Sequence, residues 1–345
     1  MDKYIELLSK HRSAVMGVAI IWVIMFHIPY KPEVPGLQQF MTIGYGGVDI
    51  FLLLSGFGLS FSLSKPNISL SHYYKSRACR ILPEFWVYLL ITFIVSGEYT
   101  VRSFESLALK ATTIGLWIPG VPFELWYISC IVVFYALFPF FFRRLKTNMY
   151  KATFEGIVVG LLLTLIYALV MILAFHNENS GGHMIMAISR IPIFVIGALL
   201  GLIAKKGVKI PKSRSIVVLA MSAFAIGFLS LFCFMLFLKP YLWTCALHWL
   251  PFILITPILC ILLAVFFEKL PMAIEKALGF VGVMSYELYI VHCYFFKNYS
   301  DVITHQYNES MTNIILVATS FIVAYLFYLF NRFILQRMLK RIFSL

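Results

Sequence analysis

The chain has 345 residues, of which 61% are hydrophobic and only 12% charged, and its mean hydropathy is +0.90. Water-soluble domains run near half apolar and a quarter charged, so this composition excludes an ordinary soluble fold and points to a chain built for lipid. The formal charge of +13 is dispersed over short loops, which argues against a nucleic-acid surface and for membrane topology.

Ten apolar runs approach the roughly 20 residues needed to cross the hydrocarbon. They fall near 13–30, 44–64, 79–97, 123–142, 154–175, 186–204, 215–238, 248–267, 280–297 and 312–334. The expected fold is therefore an all-α, polytopic membrane bundle of about ten helices, in one domain over 1–345. The first run, "MGVAIIWVIMFH", follows Arg12 and ends in His27; it lacks a small-residue cleavage site and another span follows, so it is not a cleavable signal peptide. Fifteen residues of helix rise about 22 Å and leave Arg12 and His27 roughly 60° apart around the axis, so both can face one cavity from opposite ends. An anchoring arginine and an interfacial histidine would look the same.

The second run, "GYGGVDIFLLLSGFGLSFSL", holds Asp49. The third begins in "YYKSRACRILPEFWVY", where Arg77 and Arg80 stand three apart and share a helix face. Forked guanidiniums on one face suit phosphate oxygens, although paired arginines at a span border also serve as topology anchors. Before the fourth run, "KATTIGLWIPG" reads as a re-entrant or interfacial piece, and Glu124 and Trp126 follow it. The sixth run carries Arg190, and the ninth carries Tyr286, Glu287 and His292.

The N-terminal segment, alternate loops and the C-terminus hold 22 of the 28 lysines and arginines; the opposite loops hold five, and Arg190 lies within a span. This asymmetry places both termini in the cytoplasm, with the chain in the cytoplasmic membrane. Six cysteines lie mostly in or beside the runs, without CxxC pairs, and read as small core residues instead of disulfides or a metal site. His27, Asp49, Glu124, Arg190, Glu287 and His292 are the ionisable groups that lipid should exclude, and together they suggest one polar cavity.

Six blocks in order resemble the membrane acyltransferase 3 family over nearly the whole chain. They are the first-span arginine and histidine, "GYGGVDIFLLLSGFGLSFSL", "SRACRILPEFWVY", "LWYISCIVVFYALFP", "SRIPIFVIGALLG" and "VGVMSYELYIVH". The resemblance implies acyl-CoA, usually acetyl-CoA, as a co-substrate, with no permanently bound cofactor or metal. It also implies an extracytoplasmic carbohydrate as acceptor. It makes His27 catalytic and puts Arg77 and Arg80 near the CoA entrance. The family usually places an arginine eleven positions before the histidine; that position is Met16 here, and Arg12 lies one turn earlier on nearly the same face.

The expected chemistry follows from these groups. Arg12, Arg77 and Arg80 bind acyl-CoA, and His27 takes the proton from an acceptor hydroxyl. An acyl-histidine intermediate is the rival route. Asp49 or Glu287 would orient the histidine as a carboxylate does in a triad. Glu124, Trp126, Arg190, Tyr286 and His292 would line the cavity, with packing the stronger claim on the aromatics. Alternative readings are a non-polysaccharide acceptor, succinyl-CoA as donor, or a proton-coupled transporter, for which the sequence shows no inverted symmetry.

Overall fold

A computed structural model describes residues 2–66, 68–97, 99–118, 125–175, 182–209, 213–243 and 245–343. The long elements are helical, and no strand occurs among the described residues. In chain order they are α1 Asp2–Lys10, α2 Arg12–His27, α3 Leu37–Thr42, α4 Gly47–Leu63, α5 Leu70–Ser96, α6 Val101–Ala111, α7 Trp126–Thr147 and α8 Met149–Phe175. There follow α9 Gly182–Ile188, α10 Ile191–Lys206, α11 Arg214–Phe237, α12 Phe252–Phe267, α13 Met272–Val283, α14 Ser285–Thr304, α15 Glu309–Phe330 and α16 Gln336–Phe343.

Among the described residues each of the ten apolar runs is largely helical, the sixth and the ninth being divided between two helices. Among the described residues, seven helices are long and apolar enough to cross a membrane, or nine if the pairs interrupted at His11 and at Met284 each form one span. The shortfall from ten has a local cause. α12 is apolar but has only 16 residues, and the α1–α2 and α13–α14 pairs each bend by 67°, at His11 and at Met284. Of "KATTIGLWIPG", residues 110–111 end α6 and Gly115–Trp117 form a 3-10 turn, while 119–120 lie outside the described residues.

Internal contacts gather into two units interleaved along the chain. The first comprises Met1–Arg12, Asp49–Tyr73 and Thr112–Pro271. Within it α4 packs closely on α10. A Cβ at Gly56 would strike the Phe194 carbonyl, one at Gly197 the Leu53 carbonyl, and one at Gly201 the Phe57 backbone. Gly197 and Gly201, four apart, thus form the small-residue stripe that lets two backbones touch where lipid supplies no hydrophobic force between helices. The Ser60 hydroxyl then reaches across to donate to the Ala198 carbonyl at 2.7 Å. α1 packs on α12, and Glu268 at the end of α12 accepts from Lys10 at 2.6 Å and meets His11 Nε2 at 2.8 Å.

The second unit comprises Ser13–Val48, Tyr74–Ala111 and Met272–Leu345. Here α2 crosses α13 at Gly17 and Gly282, where a Cβ would meet the carbonyls of Leu278 and Ser13. Gly44 and Gly47 fit in the same way against Trp22 and Ala19 of α2. Pro83 lies within α5 and has no N–H for the Cys79 carbonyl one turn back. The Gln336 amide fills that place, donating to Cys79 O at 3.2 Å and to Asn331 Oδ1 at 3.1 Å. A π-helical turn, Asn331–Leu335, joins α15 to α16 and presents Asn331 to this network.

Candidate active site

His27 occupies the last position of α2, and His292 lies mid-way along α14, in the same unit. His292 is wholly buried, whereas His27 is exposed. The hydrogen bonds assign the tautomers. A carbonyl only accepts, so His27 Nδ1–H donates to Val23 O (2.9 Å) and His292 Nδ1–H to Leu288 O (2.7 Å). His292 Nε2 is therefore an acceptor, and it stands 3.3 Å from His27 Nδ1. The one remaining lone pair on His27 is at Nε2. Both helices thus impose the same arrangement by the same device, a carbonyl one turn back that pins Nδ1–H.

Aromatic rings surround the pair. Phe26 meets His27 edge-on at 4.9 Å, while Tyr289 and Phe296 stand 6.0 and 5.8 Å from the His292 ring. The loop beyond His27 is braced by Asn313, which donates to the Tyr30 carbonyl at 2.6 Å, and by Thr304, which donates to the Tyr30 hydroxyl at 2.9 Å.

The paired arginines open the same unit's portion of α5. Arg77 is half-buried and Arg80 exposed. One turn on from Arg80 is Glu84, only 1% exposed, whose carboxyl meets that of Glu287 and accepts from Asn331. Arg80 carries its charge close to both carboxyl groups. Glu287 and His292 are five residues apart on α14, about 140° around the axis, so Glu287 faces Glu84 and not the imidazole pair. Tyr286 is a brace, its hydroxyl donating to the Ile81 carbonyl at 3.0 Å.

The other anticipated residues lie in the first unit. Asp49 Oδ1 pairs with Arg190 Nε at 3.3 Å, both groups being 1% exposed. The Arg190 guanidinium lies between two indoles, 4.7 Å from Trp126 and 4.4 Å from Trp249, and donates to the Met186 carbonyl at 2.8 Å. A buried charge requires this enclosure by a counter-charge and π faces. Arg12 lays its guanidinium on α4 at Gly58, where a Cβ would stand 2.6 Å from both terminal nitrogens. Glu124 lies outside the described residues.

The structure therefore gives His27 an imidazole partner where the sequence had suggested a carboxylate, and it engages Asp49 and Glu287 elsewhere. Sequence reasoning missed Glu84, which reads as a border residue after two arginines, and His248, buried between Trp243 and Trp249 at ring distances of 3.8 and 3.7 Å. Glu84 had one available signal: it lies four residues from Arg80 on one helix face.

The acyltransferase domain model of the acyltransferase 3 family matches residues 15–329, nearly the whole chain, and the chain belongs to that family. It is thus a membrane acyltransferase with multiple apolar helices. Neither the curated proteins nor the solved structures gave a match to the chain.

Proposed function

We propose that this acyltransferase takes an acetyl group from acetyl-CoA on the cytoplasmic side of the cell membrane and delivers it to a carbohydrate hydroxyl on the other side. The observation that supports this most strongly is the His27–His292 pair, because it leaves His27 with its lone pair on Nε2, on an exposed side chain. In this reading Nε2 takes the proton of the acceptor hydroxyl as the oxygen attacks the acetyl carbonyl. The bond to the CoA sulfur then breaks, and the leaving thiolate recovers the proton from His27. His292 Nε2 accepts from the Nδ1–H of the transient imidazolium, which fills the orienting role of a triad carboxylate without adding a negative charge.

Arg77 and Arg80 bind the phosphates of CoA, since planar forks match phosphate oxygens. The excess of lysine and arginine in alternate loops supports cytoplasmic termini and hence a cytoplasmic donor side.

The test is acetyl transfer by the purified protein in vesicles, with mass analysis of surface glycans from cells with and without the gene. His27→Gln should keep the fold and lower transfer by about 10² or more, the scale of a positioned general base. Unchanged glycan acetylation in cells lacking the gene would reject the carbohydrate acceptor, and near-native transfer by the glutamine variant would reject the base.

A further inference from the structure

Cys293 stands beside the imidazole pair and has no part in the transfer described above. Its Sγ is 3.2 Å from His292 Nε2, which is in turn 3.3 Å from His27 Nδ1. The ligating atoms of the three residues all lie within 4.8 Å of one another. Around a tetrahedral zinc ion, with bonds of about 2.0–2.1 Å to nitrogen and 2.3 Å to sulfur, ligand atoms stand about 3.3–3.6 Å apart. The two measured edges are close to that figure before any metal arrives. His292 also shows the outer arrangement usual for a metal-bound histidine, its Nδ1–H held by a backbone carbonyl, here Leu288. His27 is exposed, so solvent can reach the group and fill a fourth position.

We propose that His27 Nδ1, His292 Nε2 and Cys293 Sγ form a site for a zinc-class divalent cation, and that occupancy switches transfer off. The second half rests on His27 acting as the base. The cation takes the place of the His27 Nδ1 proton, which Val23 O and His292 Nε2 share, and Cys293 binds as thiolate, releasing one proton to solvent. The single proton of neutral His27 then moves to Nε2, the atom that must accept from the acceptor hydroxyl. Val23 O loses its side-chain donor but keeps the helical N–H of residue 27. A site of two histidines and a cysteine that leaves a coordination position open suits zinc or its spectroscopic substitute, cobalt(II).

The experiment uses the purified full chain titrated with cobalt(II), followed by absorbance. The expected result is a near-ultraviolet thiolate-to-cobalt band that zinc abolishes. Cys293→Ser should lose that band and bind cobalt at least about 100-fold more weakly, since loss of an outer-shell partner alone costs about 10–100-fold, whereas Cys233→Ser should keep it. Zinc should then inhibit acetyl transfer by the wild type at concentrations that leave Cys293→Ser active. No band, or an equal band in Cys293→Ser, overturns the site. A cobalt band that behaves as expected, with transfer unaffected by saturating zinc, overturns the switch, while the assignment of His27 as base falls only if His27→Gln keeps near-native transfer.

Discussion

Replacing His292 by leucine tests the partnership on which the proposed mechanism depends. The contact at stake is the His292 arm of a shared hydrogen bond: His27 Nδ1–H donates to Val23 O at 2.9 Å and also reaches His292 Nε2 at 3.3 Å in the resting state. In the transition state that donor belongs to an imidazolium, and a hydrogen bond to a charged group contributes about 1.5–3 kcal/mol. At 1.36 kcal/mol per decade, this corresponds to a loss in kcat of roughly 10–150-fold. Little of the loss should come from unfolding. His292 is wholly buried among aromatic rings, leucine fills most of its volume, and Leu288 O retains the backbone N–H of residue 292 as its helical donor. His292→Gln places an amide oxygen near the position of Nε2 and should recover much of the rate. The assay is steady-state transfer with purified protein over a range of acetyl-CoA concentrations, with thermal unfolding measured in parallel. The reasoning requires kcat to fall while the KM for acetyl-CoA stays within about twofold. Near-native kcat in the leucine variant would make the imidazole contact mere packing and remove His292 from the mechanism.

The remaining expectations concern the donor side, the orientation and the packing. Alanine at both Arg77 and Arg80 should raise the KM for acetyl-CoA more than it lowers kcat, and lysine should rescue only partly, because a point charge lacks the fork; unchanged KM over a full donor titration would reduce both residues to anchors. A cysteine at exposed Lys209 should escape an impermeant thiol reagent applied to intact cells, and added labelling from outside would invert the orientation. Gly201→Ala drives a Cβ into the Phe57 backbone and should cost about 1–3 kcal/mol, read as a lowered Tm; an unchanged Tm would show that α4 and α10 can separate freely. Hydrogen bonds from Lys10 and His11 hold the exposed Glu268 carboxyl below its ordinary range, so its contribution is present above the unfolded carboxylate pKa and is lost as pH falls through the lowered value. Glu268→Gln should therefore lower the Tm at neutral pH, and the two unfolding temperatures should converge in acid; a gap that persists there would assign the effect to packing.

Much of this protein was legible from the chain because lipid imposes a rule that acts locally. A segment that is mostly apolar and long enough to cross hydrocarbon must satisfy its backbone by itself, so it is a helix wherever it stands, and among the described residues each apolar run proved largely helical. The glycines of "GYGGVDIFLLLSGFG" and "SRIPIFVIGALLG" carried no such message by themselves, since a missing Cβ matters only where another backbone arrives, and that was decided by packing. Breaks within helices were not legible. His11 and Met284 carry no helix-breaking signal, and what interrupts the helices there lies in the surrounding packing.

The site divides along the same line. The chain by itself determined that His27 would end an apolar helix and that Arg77 and Arg80 would share a face, because both follow from helical periodicity. It could not determine what each charged group meets. Asp49 went to Arg190 across 141 positions, Glu287 to Glu84 across 203, and His27 to His292 across 265. A buried charge requires a partner, but sequence names only the need. Which carboxylate neutralised the arginine, and which imidazole reached the histidine, was decided by where the tertiary packing brought the helices together.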